Sequence, residues 1–168
     1  MKVSIRKINF IMMSFVHETL YNLLRDPYKA LKAAGLGSGQ VVLEVGCGPG
    51  FFTIPAARIV GETGQVYAMD LNPLAIDKVE EKVEKEKVTN VKTILADVSR
   101  TNLYTFFDLA FLFGFTRPIG DIENIWSNIH RALKPGGILS VEGRLRPPTN
   151  LFSFMEKQGR ISQYKRAL

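Results

Sequence analysis

Val42-Leu43-Glu44-Val45-Gly46-Cys47-Gly48-Pro49-Gly50 is the stretch on which the reading of this chain turns. Val41, Val42 and Leu43 run apolar without alternation, which suits a strand covered on both faces, as in a parallel sheet. Three alternating glycines follow. Without a Cβ, the main chain there can turn sharply and approach a ligand closely. Gly37-Ser38-Gly39 is turn chemistry ahead of the strand, and Phe51–Val60 reads as a helix behind the loop. Strand, glycine loop and helix in that order open a βαβ unit.

The same alternation continues outward. Upstream, Asp26-Pro27 supplies an N-cap and a proline at the first helical position, with Gly35 as the stop. A shorter helix with Leu20, Leu23 and Leu24 on one face precedes it. Downstream, Gln65–Met69 reads as a strand, and Asn72-Pro73 opens a helix whose apolar face carries Ile76, Val79 and Val83. On its other face, Glu81 and Lys85 stand at the favourable i,i+4 spacing. Val91–Leu95 and Phe107–Phe113 are the next strands. Asp121 caps a helix bearing Ile122, Ile125, Ile129 and Leu133; Lys134-Pro135-Gly136-Gly137 ends it, and Ile138–Glu142 is the fifth strand. The expectation is an α/β, doubly wound, mostly parallel Rossmann-like sheet in a single domain, residues 1–168. An N-terminal helical segment would occupy residues 1–35 and the core residues 36–168.

Composition agrees with an ordinary globular domain: 168 residues, 46% apolar and 23% charged. The net charge of +6 bears mainly on solubility. Arg144, Arg146, Lys157, Arg160, Lys165 and Arg166 cluster near the C-terminus, and a solvated rim is their default reading; nucleic acid is not indicated. A single cysteine cannot form an internal disulfide, which favours a reducing cytoplasm. No apolar run approaches the roughly 18 residues that cross a bilayer. Lys2, Arg6 and Lys7 before Ile8–Val16 imitate a signal peptide, but no small-residue cleavage site follows, so no membrane role is expected.

In a doubly wound sheet, ligands sit at the carboxyl ends of the strands, near the point where strand order reverses. Asp70 ends the second strand, 20 residues past Gly50, where a carboxylate can accept from both hydroxyls of a ribose. Asp97 ends the third, placed for the exocyclic amine of an adenine. Each has a plainer reading: Asp70 as a cap of the Leu71-Asn72-Pro73 turn, Asp97 as a cap of the segment from Ser99. A dinucleotide site uses G-x-G-x-x-G to seat a pyrophosphate. Here the spacing is G-x-G-x-G, and Glu44 adds a carboxylate that would repel a pyrophosphate but suit a cationic amino group. That argues against a nicotinamide cofactor, and no metal is expected.

Val42 to Gly50 resembles motif I of the class I S-adenosylmethionine-dependent methyltransferases. Val66-Tyr67-Ala68-Met69-Asp70 resembles that family's second motif, and Leu95-Ala96-Asp97-Val98 its adenine-contacting segment. Phe107-Asp108-Leu109-Ala110 and Leu133-Lys134-Pro135-Gly136-Gly137 are similar to its fourth-strand and pre-fifth-strand signatures, so the likeness runs from about residue 28 to residue 145. The resemblance implies S-adenosylmethionine as methyl donor, with S-adenosylhomocysteine as product. Gly46, Gly48 and Gly50 would then pass the methionine moiety, with Cys47 and Phe51 beside them and Glu44 orienting the loop or the amino group. Asp70 and Leu71 would meet the ribose, Asp97 and Val98 the adenine, and Phe113-Gly114 would border the sulfonium. Cys47 as a nucleophile is disfavoured, since neither histidine is near it in sequence.

Methyl transfer from a sulfonium needs proximity more than an obligatory nucleophile. A base near the methyl would still help an O- or N-acceptor. The candidates are His17, in the N-terminal segment that lids the site in this family, and Glu142 and Arg144 at the end of the fifth strand; His130 reads as solvent-facing. The Asn-Pro-Pro-aromatic signature of base methylation is absent after strand four, where Gly114-Phe115-Thr116-Arg117-Pro118 stands instead, so a small-molecule acceptor is favoured. After Glu142 only 26 residues remain, fewer than the family's usual helix and strand pair. Asn150–Gln158 reads as a helix and Arg160–Ala167 as one strand, leaving a truncated C-terminal edge for a homodimer contact or the N-terminal segment to cover. A cofactor-binding subunit without catalysis is the alternative that such truncation would favour.

Overall fold

The computed structural model of the chain describes residues 26–104, 106–114 and 121–167. His17, the Ile8–Val16 stretch, the Leu20/Leu23/Leu24 helix and the Phe115–Pro118 segment lie outside them. The elements alternate from the start: α1 (Pro27–Ala33), β1 (Val41–Val45), α2 (Thr53–Val60), β2 (Gln65–Asp70), α3 (Pro73–Lys85) and β3 (Val91–Leu95). They continue with β4 (Phe107–Leu112), α4 (Ile122–Ala132), β5 (Leu133–Glu142), β6 (Phe152–Gln158) and β7 (Ile161–Arg166). The sheet has seven strands in the order β3-β2-β1-β4-β5-β7-β6, and β7 alone runs opposite to the other six. The chain winds outward from β1 to β3 and returns on the other side of β1 to β4. That reversal opens the crevice in which such folds bind ligands.

Local chemistry explains the boundaries. Asp26 caps α1 by accepting from the N–H groups of Tyr28 and Lys29. Asn72 and Asp121 cap α3 and α4 in the same way. On α3, Lys78 pairs with Glu81. α2 starts two residues later than the periodicity suggests, because Phe51 and Phe52 belong to the turn; Phe52 is core, stacked edge-on against Phe111 and Phe113.

The sheet separates two apolar layers. Leu31 and Ala34 pack with Phe52, Ala57, Val60 and Phe111 on the side of α1 and α2. α4 covers the other side through Ile125, Trp126 and Ile129, against Leu43, Met69, Leu112 and Val141. Cys47 sits with Ala68, Ile76 and Val79 under α3. α1 is bonded into the body: the Ser140 hydroxyl donates to the Ala34 carbonyl and the Gln163 amide to that of Ala33.

Four readings of the C-terminal part are corrected. Asn150–Gln158 is not a helix: residues 152–158 form β6 and turn through Gly159 (φ +59°) directly into β7. The sheet edge is therefore complete, and the connection from β5 to β6 is what has been shortened. The proposed need for a dimer contact to replace a missing strand falls away with it. β5 begins at Leu133, its extra residues absorbed by an irregularity opposite Phe107–Leu109 that tolerates Pro135. His130 is half-buried, its Nε2 3.0 Å from the Ala167 carbonyl and its ring edge-on to Phe152.

Candidate active site

The glycine loop is tied to the end of β2. The Gly46 and Cys47 N–H groups donate to the Met69 carbonyl at 2.7 and 2.9 Å. The Gly48 N–H donates to Asp70 Oδ2 at 2.9 Å. Gly50 lies under α3 at φ +80°, where a Cβ would stand 3.0 Å from Val79 Cγ2, so both backbone and space call for glycine. Behind the loop Glu44 is buried and accepts from the Thr53 hydroxyl at 2.6 Å. This bond clamps β1 to the first turn of α2. Burial pushes the Glu44 carboxyl up to about 8, against the opposing pull of the Thr53 hydrogen bond. The carboxyl thus works behind the loop, and its charge is a weaker argument against a pyrophosphate than its position in sequence suggests. Burial raises the Cys47 thiol well above its ordinary range, so it is no nucleophile.

Glu44 gives a pH signature. Between the unfolded carboxyl value near 4.5 and the folded value of about 8, the folded chain holds a proton that the unfolded chain has released. Stability therefore falls as pH rises through that window and levels off above it. Glu44→Gln keeps an acceptor for Thr53 and removes the titration. Its denaturant midpoint, measured from pH 5 to 9, is expected to lack the wild-type decline over that window.

A slot of about 250 Å³ opens at the carboxyl ends of β1, β2 and β3. Its apolar floor is Val45, Met69, Ala96 and Ile125, and Gly46, Asp70, Leu71, Asp97 and Val98 complete it. Asp70 Oδ1 accepts from the Asn72 N–H at 2.8 Å, so it caps the turn and holds the glycine loop together. A carboxylate has about four acceptor positions, and these two bonds leave room for a ligand. Asp97 accepts from both the Ser99 N–H and its hydroxyl, which holds its carboxyl below the usual range. Val98 is fixed from above by the buried Asn128 of α4, whose amide donates to the Val98 carbonyl at 2.6 Å.

On the other side of β1, β4 ends at Phe113-Gly114. Phe113 is core, while the Gly114 N–H donates to Glu142 Oε2 at 3.1 Å. Glu142, the last residue of β5, also meets Arg160 of the β6–β7 turn, Oε1 to Nε at 3.5 Å. Beyond it lies an open cleft of about 860 Å³, between α1, Glu142 and that turn. Arg144 is exposed past the end of β5 and does not line the cleft.

Comparison with known proteins settles the family. Residues 36–145 match the family model described as a methyltransferase domain. The chain belongs to the class I S-adenosylmethionine-dependent methyltransferases. Over 135 residues it is 31% identical to the "Probable cobalt-precorrin-6B C(15)-methyltransferase (decarboxylating)" of Sulfolobus acidocaldarius, a match covering 78% of this chain and 68% of that protein. It is 30% identical over 109 residues to a demethylmenaquinone methyltransferase of a Geobacillus species, spanning 64% of this chain and 46% of that one. Among solved structures it resembles an S-adenosylmethionine-dependent methyltransferase from Aquifex aeolicus, with 25% identity and a TM-score of 0.72, covering 84% of this chain and 90% of that one. The chain is accordingly a methyltransferase, and its methyl donor is S-adenosylmethionine.

Against that family pattern, the structure brings Gly46, Asp70, Leu71, Asp97 and Val98 to one slot, with Cys47, Gly48, Gly50 and Phe51 in the adjoining loop. It places Glu44 behind the loop and Phe113 in the core. Sequence reasoning missed Ile125, which lines the slot, and Asn128, which holds the Val98 carbonyl, 28 and 31 residues past Asp97, and it missed Thr53. Only Thr53 left a trace, a small hydroxyl facing an otherwise unpartnered acid across the loop. No helix among the described residues is long and apolar enough to cross a membrane.

Proposed function

We propose that this methyltransferase holds the nucleoside of S-adenosylmethionine in the slot between Gly46 and Ile125, and methylates a small-molecule acceptor in the cleft beside Glu142. The observation that carries the reading is the pairing of two cavities across the end of β4: a narrow one with an apolar floor and two carboxylates, and a wider open one. An apolar floor with few convergent polar groups is what a nucleoside pocket requires. Asp70 would accept from the ribose hydroxyls, and Leu71 would cover the sugar. Asp97 and Val98 would take the adenine, and the Gly46–Gly50 backbone with Phe51 would pass the methionine portion. The bound donor supplies an electrophilic methyl on a sulfonium, itself a good leaving group. The chain's part is to align the acceptor atom in line with that methyl and exclude water. Gly114 would face the reacting centre, its backbone set by Glu142. Glu142 thus serves to position rather than to abstract a proton. The complete sheet edge removes the main support for a non-catalytic subunit.

Calorimetry with S-adenosylhomocysteine and with NAD tests this reading. Micromolar binding of the first and none of the second is expected; the reverse would refute it. Gly48→Ala sharpens the test. Among the described residues, a Cβ at Gly48 would meet nothing beyond its chain neighbours within 4 Å, although φ is +51°. Its cost to folding is then the left-handed backbone alone, about 1–2 kcal/mol. S-adenosylhomocysteine affinity is expected to fall about tenfold or more as the methyl enters ligand space. A variant that melts lower but binds as tightly as wild type would remove the loop from the site.

A further inference from the structure

We infer that the acceptor carries a carboxylate, and that Arg160 at the tip of the β6–β7 turn is the side chain that reads it. The inference rests on the proposed division between donor slot and acceptor cleft. Glu142 is acidic, only 6% exposed, and lines the cleft. It engages Arg160 through Nε alone, at 3.5 Å. Neither terminal amino group of Arg160 has a partner among the described residues. A guanidinium that spends only Nε on Glu142 keeps its two terminal amino groups as a pair, the geometry that takes a carboxylate bidentately. The turn is itself fixed, because the Arg160 carbonyl accepts from the Gly143 N–H at 2.9 Å.

The opposite wall agrees in charge. Lys29 and Lys32, three apart on one face of α1, line the same cleft, and neither ammonium has an acidic partner among the described residues. Of the two acids at the cleft, Asp26 is occupied as the α1 cap and Glu142 by Gly114 and Arg160. The described residues lining the cleft thus set three cations, Lys29, Lys32 and Arg160, against these two acids, a formal balance of +1. Ala33 and Ile161 add apolar lining, so the acceptor that fits has an apolar body and an acid group. Position follows as well: a carboxylate on Arg160 lies one residue pair away from Glu142, and hence beside the Gly114 backbone that Glu142 holds. The acid would orient the acceptor without reacting.

Two probes of one shape, 2-naphthoate and 2-naphthamide, differ in charge and test the inference on the full chain, with and without saturating S-adenosylhomocysteine. The acid is expected to bind at least about fivefold tighter than the amide. Arg160→Gln should abolish that preference, and Lys29→Gln with Lys32→Gln should reduce it. None of these side chains lines the donor slot, so S-adenosylhomocysteine affinity should stay at its wild-type value, and the exposed Lys29→Gln and Lys32→Gln should leave the melting temperature unchanged. Equal binding of acid and amide, binding of neither, or a preference surviving Arg160→Gln would overturn the inference and leave the donor slot standing. Failure of S-adenosylhomocysteine to bind would instead strike the donor slot, while the acid–amide comparison on the protein alone still decides the role of Arg160.

Discussion

Replacing Asp70 by alanine is expected to weaken S-adenosylhomocysteine binding by about ten- to a hundredfold. The figure follows from the loss of charge-assisted hydrogen bonds worth about 1.5–3 kcal/mol. Two consequences must be separated. Asp70 accepts from the Gly48 N–H on one oxygen and the Asn72 N–H on the other. The substitution therefore removes a sugar partner and also loosens the glycine loop from β2. Thermal melting without ligand reports the second effect, and calorimetry reports both. Asn72→Ala, which removes the α3 cap but keeps the carboxylate, is the control: it should lower the melting temperature with little change in affinity. A lowered melting temperature with unchanged affinity in Asp70→Ala would confine Asp70 to the loop.

The second large effect is expected at Trp126. Among the described residues, α4 is the one helix in the apolar layer on its side of the sheet, and Trp126 is 3% exposed within it. Truncation to alanine should cost about 3–5 kcal/mol, a large share of the stability of a domain this size. A melting temperature lowered by about 10 °C or more is the expected result. Ile125 beside it forms part of the slot floor, and Asn128 on the next turn holds the Val98 carbonyl. S-adenosylhomocysteine affinity should therefore fall together with stability. A fully stable Trp126→Ala would show that other parts of the chain cover this face.

The half of the molecule built from βαβ units was legible because local signals and tertiary demands agree there. Val42 to Val45 is buried on both faces, Gly46 to Gly50 turns on glycine and feeds a helix, and each requirement leaves a residue-level mark. Asp70 and Asp97 were placed by spacing alone, and both proved to do the capping of the plainer reading while also bordering the slot. The two readings were never exclusive, since one carboxylate serves several donors. The C-terminal hairpin was misread for a physical reason. Met155, Glu156, Lys157 and Gln158 are good helix formers. Pairing with β7, a contact invisible to local propensity, puts them in a strand instead. Gly159 between two short runs was the available hint of a tight turn. Asn128 and Ile125 left no mark, because helix periodicity says which face is buried and not which loop it meets.

The central claim is that the slot bounded by Gly46, Asp70, Val98 and Ile125 holds the donor's nucleoside. The most direct measurement is a crystal structure of the full chain with S-adenosylhomocysteine. The expected result is adenine against Val98 and Ile125, with both ribose hydroxyls on the Asp70 carboxylate. A nucleoside bound elsewhere, with the slot closed by the protein's own side chains, would contradict it.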